Sequence, residues 1–450
     1  MSQSVHTGLR AVPPLEPNRE LILPEQAERT LSNGLTVIAI ERRSVPLIEL
    51  RLRVPFSRST IDPRFLATSS LLSQTILSGT PTRSTVEIAA ELQTVGGVLS
   101  ATVDADRLLL SGNGLTNGLD RMLEIVSDVL TGATYPESEV TTERARLIDR
   151  LQVALTQPGH LARVALLKRV YGQHPYGVQT PEISDVTEVS RADLAALHSA
   201  RVHPAGAVLV LVGDFETDRV LDAAEAALGS WDGAGGGEDL PPTPPLVGGP
   251  VTLANRPDSV QSSLRVALPA VNRTHPDHAA LQLANLIFGG YFSSRWVLNI
   301  REDKGYTYGP HSFIDHAIAG SVLIASAEVA TEVTGPALLE TWYELGRIAT
   351  VPPDEDELEQ ARQYALGSLL LGMSTQAGLA GLATAYAGSG LRLDFLAEHA
   401  IRLAAASRDD VASVAARYLA PAKGAVVILG DGEVVEPSLA ALSPVERTSG

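Results

Sequence analysis

Apolar residues along this chain fall into short blocks separated by longer stretches of helical period. Residues 35–41 (LTVIAIE) and 47–54 (LIELRLRV) alternate or run apolar, as strands do. Residues 65–78 and 84–94 carry helical spacing, the second opened by Ser84, whose hydroxyl can cap a first turn. Val98 to Val103 and Arg107 to Ser111 read as the two arms of a hairpin. Helical stretches follow at 117–131, 137–155, 160–171 and 191–200, then an apolar strand at 206–212. The order is strand, strand, helix, helix, strand, strand, helices, strand, helix. Elements come in runs rather than in strict alternation, which predicts an α+β fold: a mostly antiparallel sheet packed with helices.

The pattern then repeats. Ser190-Arg191-Ala192-Asp193-Leu194 leads to Pro204 and a strand ending at Gly213-Asp214. Ser407-Arg408-Asp409-Asp410-Val411 leads to Pro421 and a strand ending at Gly430-Asp431, at an offset of 217. Pro136 with Glu143-Arg144-Ala145-Arg146 matches Pro352 with Glu359-Gln360-Ala361-Arg362 at an offset of 216. Two matches at nearly one offset imply a duplicated unit of about 215 residues, far longer than a solenoid repeat. Between the copies lies a glycine- and proline-rich stretch that suits neither helix nor strand. The expected organisation is an extension at 1–30, a first domain at 31–231, a linker at 232–250 and a homologous second domain at 251–450.

Composition narrows the function. The 450 residues carry 35 Lys and Arg against 52 Asp and Glu, a net charge of −17. Phosphate backbones need a basic face, so no nucleic acid is expected as a partner. An anionic membrane surface is disfavoured for the same reason. There is no cysteine, which removes thiol nucleophiles, disulfides and Cys-ligated metal together. Residues 1–20 hold no apolar core of signal-peptide length, and a cytoplasmic location is expected. Gln363 to Leu391 carries no charge, but glycines interrupt it; a buried helical pair is the expectation, not a membrane span.

Few motifs carry chemistry on their own. Gly112-Asn113-Gly114-Leu115-Thr116-Asn117-Gly118 has the spacing G-x-G-x-x-x-G and reads as a strand-to-helix turn, not a dinucleotide site. His275 with His278, and His311 with His316, are weak metal pairs; the second pair falls on opposite faces of a strand. No nucleophile elbow and no Walker sequence occurs. In the block Gly289-Gly290-Tyr291-Phe292-Ser293-Ser294-Arg295 to Arg301-Glu302-Asp303-Lys304-Gly305-Tyr306-Thr307-Tyr308, Arg301 and Tyr308 could both donate to a peptide carbonyl.

With that block in place the sequence resembles the pitrilysin/insulinase family of zinc peptidases, in its mitochondrial-processing-peptidase-like branch. Leu31-Ser32-Asn33-Gly34-Leu35 is similar to the family's opening strand, Gly79-Thr80 to the turn after its metal helix and His174-Pro175-Tyr176 to its H-P-Y turn. Leu99, Ser100, Ala101 and Thr102 resemble its substrate edge strand, and Gly289 to Tyr308 its Arg/Tyr block. The resemblance implies two domains forming half of a clamshell. It also implies H-x-x-E-H just before Gly79, where this chain has Ser70, Ser73 and Gln74 at the three motif positions. The third ligand would map near Leu147 to Arg150, where Asp149 is the nearest acid. Zinc needs about three protein ligands and an activated water. This chain is therefore expected to bind no metal itself.

The resemblance implies a non-catalytic subunit of a heterodimeric zinc endopeptidase. Zinc would sit on a homologous peptidase partner, and Arg301 and Tyr308 would position the peptide substrate. The alternative is a scaffold or peptide-binding protein of the same fold. A hydrolase built on Ser70 or Ser73 lacks a nearby His or Lys base in the sequence.

Overall fold

The computed structural model describes residues 21–233 and 235–448. The first twenty residues of the expected extension, Ala234 of the expected linker and the last two residues of the expected second domain lie outside the described residues. The strands of the first half are β1 (Gln26–Thr30), β2 (Thr36–Glu41), β3 (Leu47–Pro55), β4 (Val98–Val103), β5 (Arg107–Leu115) and β6 (Val208–Gly213). Its helices are α1 (Pro63–Thr75), α2 (Thr85–Thr94), α3 (Leu119–Gly132), α4 (Glu137–Ala154), α5 (Pro158–Tyr171), α6 (Ile183–Glu188), α7 (Arg191–Arg201) and α8 (Thr217–Leu228). The second half holds β7 (Val251–Asn255), β8 (Gln261–Pro269), β9 (His311–His316), β10 (Ser321–Ala330), β11 (Ala425–Gly430) and β12 (Val445–Thr448). Its helices are α9 (His278–Asn285), α10 (Arg295–Val297), α11 (Thr334–Thr350), α12 (Glu355–Gly372), α13 (Gln376–Ala387), α14 (Phe395–Ala405), α15 (Arg408–Tyr418) and α16 (Gly432–Ala440).

Strands that are apolar on both faces need cover on both, which places them in the middle of a sheet. β6 (VLVLVG) is such a strand and sits beside β3, whose second face carries Glu49, Arg51 and Arg53, in the order β1-β2-β6-β3-β5-β4. β11 (AVVILG) does the same beside β8 in the order β12-β7-β11-β8-β10-β9. Each sheet has six strands and is mixed, with antiparallel contacts in the majority. The fold is α+β, two sheets packed with helices. The duplication shows in matching side-chain bonds. Ser190 and Ser407 open α7 and α15 with the same capping box. Arg191 and Arg408 both donate to a carbonyl just before the preceding long helix, of Thr134 and Pro353. The Arg pairing is less simple. Arg362 binds Glu359 as Arg146 binds Glu143, and it also caps the Ala406 carbonyl as Arg144 caps that of Val189.

Two features escaped the sequence pattern. β1 lies within the stretch set aside as an extension, yet it pairs residue by residue with β2. The hairpin arm expected to end at Ser111 runs on to Leu115, so Gly112 and Gly114 are strand residues rather than a turn. They are glycine for lack of room: a Cβ on Gly112 would meet Leu99 Cδ2 at 2.3 Å, and one on Gly114 would meet Met122 Sδ at 2.6 Å.

The halves also exchange helices. α5 of the first half packs on β8 and β11, where Leu166, Leu167, Val170 and Tyr171 bury against Ala267, Ile324 and Val427. α13 of the second half packs on β3 and β6, and its Leu379, Ala380, Ala383 and Tyr386 cluster with Val210 and Val212 of β6 and Ile40 of β2. That accounts for the uncharged stretch: α12 and α13 meet at a bend of 106° and the apolar face of α13 covers a sheet. Among the described residues, no single helix is long and apolar enough to cross a membrane.

Candidate functional site

α1 starts with Asp62 as N-cap and Pro63 in its first turn, both favourable to a helix start. It carries the three positions at which the resemblance implies metal chemistry. The half-buried Ser70 hydroxyl donates to the Leu66 carbonyl at 2.7 Å, and buried Ser73 to the Ser70 carbonyl at 2.9 Å. Both hydroxyls are thus spent on their own helix. Gln74 Nε2 donates to Ser73 Oγ at 3.3 Å. From α4, across from α1, Arg150 Nη2 donates to Gln74 Oε1 at 3.1 Å. Asp149 is exposed on the same helix. A permanent cation therefore occupies the side from which a third ligand would come. Two hydroxyls, an amide and a guanidinium are not a zinc donor set. The residues do not fit the metal.

Leu99, Ser100, Ala101 and Thr102 lie on β4, the edge strand of the first sheet, against which α1 also packs. Ala101 faces the core, while Ser100 and Thr102 are exposed. A cleft of about 170 Å³ opens beside the strand's end, lined by Arg58, Phe65, Ser70, Val103 and Pro175 among others.

Arg301 and Tyr308 lie in the second half. After α9 the chain makes a π turn at Leu286–Gly290, then α10, then a second π turn at Leu298–Asp303. The second turn closes with Tyr306 N–H on the Ile300 carbonyl at 2.8 Å, and Gly305 adopts φ +65°, which glycine takes without strain. The reversal lays the Tyr308 ring 4.9 Å from the Arg301 guanidinium carbon. Phe292, on the glycine turn before α10, lies 4.1 Å from the same carbon. The guanidinium is held between two rings, and its Nε also meets Glu302 Oε1 at 3.2 Å. Tyr308 is 85% exposed and Phe292 60%. Two rings that bury so little of themselves contribute nothing to a core; their contact is with the cation. Tyr308 is thus exposed, and Arg301 is half-buried beside it. Phe292 was missed as a site residue, although it stands inside the quoted block.

The histidines pair differently from the sequence expectation. His278 Nε2 meets His316 Nε2 at 3.3 Å, and the His399 ring lies 4.8 Å from that of His278. His275 binds the Asp277 amide and His311 stacks on Phe313. Burial holds all three clustered imidazoles neutral, at about 2 for His278, about 3 for His316 and about 4 for His399. Among the described residues no group of three His, Asp or Glu side chains is arranged to hold a metal ion.

Comparisons with known proteins show the family and the fold. The family model for Insulinase (Peptidase family M16) matches residues 65–181, and that for the Peptidase M16 inactive domain matches residues 188–364. Together they span well over half of the chain. An uncharacterized zinc protease of Streptomyces coelicolor is 22% identical over 397 residues, covering 86% of this chain and 85% of the relative. One of Mycobacterium tuberculosis is 25% identical over 350 residues, 76% of this chain and 79% of the relative. The mitochondrial-processing peptidase subunit beta of Rattus norvegicus is 25% identical over 278 residues, 61% of this chain and 56% of the relative. Among solved structures, a protease from Helicobacter pylori superposes with a TM-score of 0.83 at 18% identity, covering 90% of this chain and 100% of the other. A peptidase M16 inactive domain from Pseudomonas fluorescens gives 0.79 at 22%, covering 90% and 98%. With one family model over residues 65–181 and the other over residues 188–364, this chain belongs to the insulinase family of peptidases.

Proposed function

We propose that this chain is the metal-free, Arg/Tyr-supplying subunit of a two-chain zinc endopeptidase. The observation that carries the reading is the contrast between two sites. The Arg301–Tyr308 pair is assembled, with Tyr308 open to solvent and Arg301 half-buried, whereas the helix that would bear the metal is filled by its own hydrogen bonds and by Arg150. The two halves would form one shell of a clamshell. A homologous partner with H-x-x-E-H intact would form the other and carry the zinc. In this reading the Arg301 fork and the Tyr308 hydroxyl donate to a carbonyl oxygen of an extended peptide. They fix the bond to be cut and favour negative charge developing on that oxygen. The reading also places the pair in the cytoplasm.

The test is to purify this chain with a metal-motif homologue from the same genome and measure peptide cleavage. Arg301→Ala and Tyr308→Phe are expected to lower kcat/KM by about 10²-fold while the two chains still associate. Cleavage unchanged by both substitutions overturns the assigned role. Capture of non-peptidase partners alone favours the scaffold reading.

A further inference from the structure

The tip of the β4–β5 hairpin in the first half meets the β9–β10 hairpin of the second. Asp106 Oδ1 accepts from the Tyr176 hydroxyl, and Oδ2 from the Ile318 amide at 3.1 Å. Beside this junction is a cavity of about 120 Å³ lined by Arg53, Asp104, Asp106, Arg107, Arg273 and His316, and closed by the end of α13. Three guanidinium groups face two carboxylates there, and both carboxylates are engaged. Asp106 takes one donor on each oxygen, and Asp104 binds Arg107 Nε at 3.0 Å.

Arg53 and Arg273 are different. Arg53 is only 5% exposed. Among the described residues neither it nor Arg273 has a hydrogen bond or an ion pair; Arg273 only lies over the Tyr386 ring, 5.6 Å from its centroid. An arginine cannot shed its proton to escape burial, and Asp104 and Asp106 offset the Arg53 charge only through space and against neighbouring Arg107. Space has been left for it all the same. A Cβ on Gly388, in α-helical backbone, would come within 2.6 Å of Arg53 Nε. A buried, unpaired cation aimed into a cavity wants an anion.

We propose that this cavity is a binding site for a small oxyanion, a phosphate or a carboxylate, held by Arg53 and Arg273 with Arg107 at the rim. Because the cavity joins both halves, an occupant would bridge them. The proposal stands apart from the Arg301/Tyr308 reading and shares no residue with it.

Calorimetric titration of the full chain in 0.15 M chloride tests it, with three probes: inorganic phosphate, a short peptide with a free C-terminal carboxylate, and the same peptide amidated. The expected result is saturable one-to-one binding of phosphate or of the free-acid peptide. Arg273→Gln and Gly388→Ala should each weaken it at least about tenfold, while Arg417→Gln, a surface control, leaves it unchanged. Peptide binding that is lost on amidation identifies a chain terminus as the oxyanion, and phosphate binding alone identifies a free one. No saturable binding of phosphate or free-acid peptide overturns the assignment, as does affinity unchanged in both cavity variants.

Discussion

Between β3 and the edge strand β4, the first half places two regular helices, α1 and α2; between β8 and the edge strand β9, the second half places α9, two π turns and the short α10. The two segments occupy the same station in a duplicated unit, under sheets in which five of the six strands follow the same order. The sheets have stayed alike because a buried strand is constrained on both faces. The intervening layer has one face toward solvent and has diverged. In α1 the polar side chains turn inward to their own helix, as Ser70, Ser73 and Thr75 all do. In the second half the wide turns push Phe292, Arg301 and Tyr308 outward. Duplication preserved the frame, and the sites were written into its least constrained part.

The sharpest way to test that contrast is to rebuild the lost site. Ser70→His, Ser73→Glu and Gln74→His with Arg150→Glu should yield a chain that binds one zinc, as read by metal analysis after dialysis. The same triple change with Arg150 retained should bind at least about 100-fold more weakly, because a guanidinium then stands where a ligand is needed. Equal affinity would show that Arg150 does not fill the ligand side.

The exchanged helices come next in size. Leu379→Ala in α13 and Leu166→Ala in α5 should each cost about 2–5 kcal/mol, measured by urea unfolding. Since each helix covers the other half's sheet, one shared transition is expected; two separate transitions would break the idea of mutual cover.

The histidine cluster gives the second half a pH dependence carried by three imidazoles that burial holds below the ordinary value, where burial does the same to His198 in the first half. The folded-state values lie below the ordinary 6.5, so the unfolded chain binds protons more readily. Stability from this source is complete above about pH 6.5 and is lost as pH falls toward 4 and below. Arg273 and Arg402 oppose protonation as well, while Gln282 and Ser321 hold His399 and His316 in place. Denaturation at pH 7.5 to 5 should show a slope that His278→Leu reduces by an amount growing to about 1.4 kcal/mol per pH unit near pH 5. An unchanged slope would remove the cluster as its source.

The smallest effect compares like with like. Ser190→Ala and Ser407→Ala remove the same capping box from α7 and α15, and each should cost about 1 kcal/mol. Unequal losses would show that the repeats carry their caps in different surroundings.

What could be read from the sequence was what burial imprints on local pattern. β6 and β11 were legible because every residue before the closing glycine is apolar, and β3 because apolar residues alternate with charged ones. β1 (QAERT) and β12 (VERT) were not, because edge strands are half exposed and mostly polar. They fill the same outer place in their sheets, but β1 comes from the start of its half and runs antiparallel to its neighbour, whereas β12 comes from the end and runs parallel. The Arg301/Tyr308 block was visible as a motif, but not the Phe292 ring that completes its clamp.

The order of strands and helices, the duplication and the missing imidazoles at 70 and 74 were determined by the sequence alone, since each depends on residue type and near-neighbour spacing. The exchange of α5 and α13, the reach of Arg150 to Gln74, the meeting of His278 with His316 and the stranding of Arg53 between two hairpins were decided by tertiary structure. They join residues tens to hundreds of positions apart, and no local period records such distances.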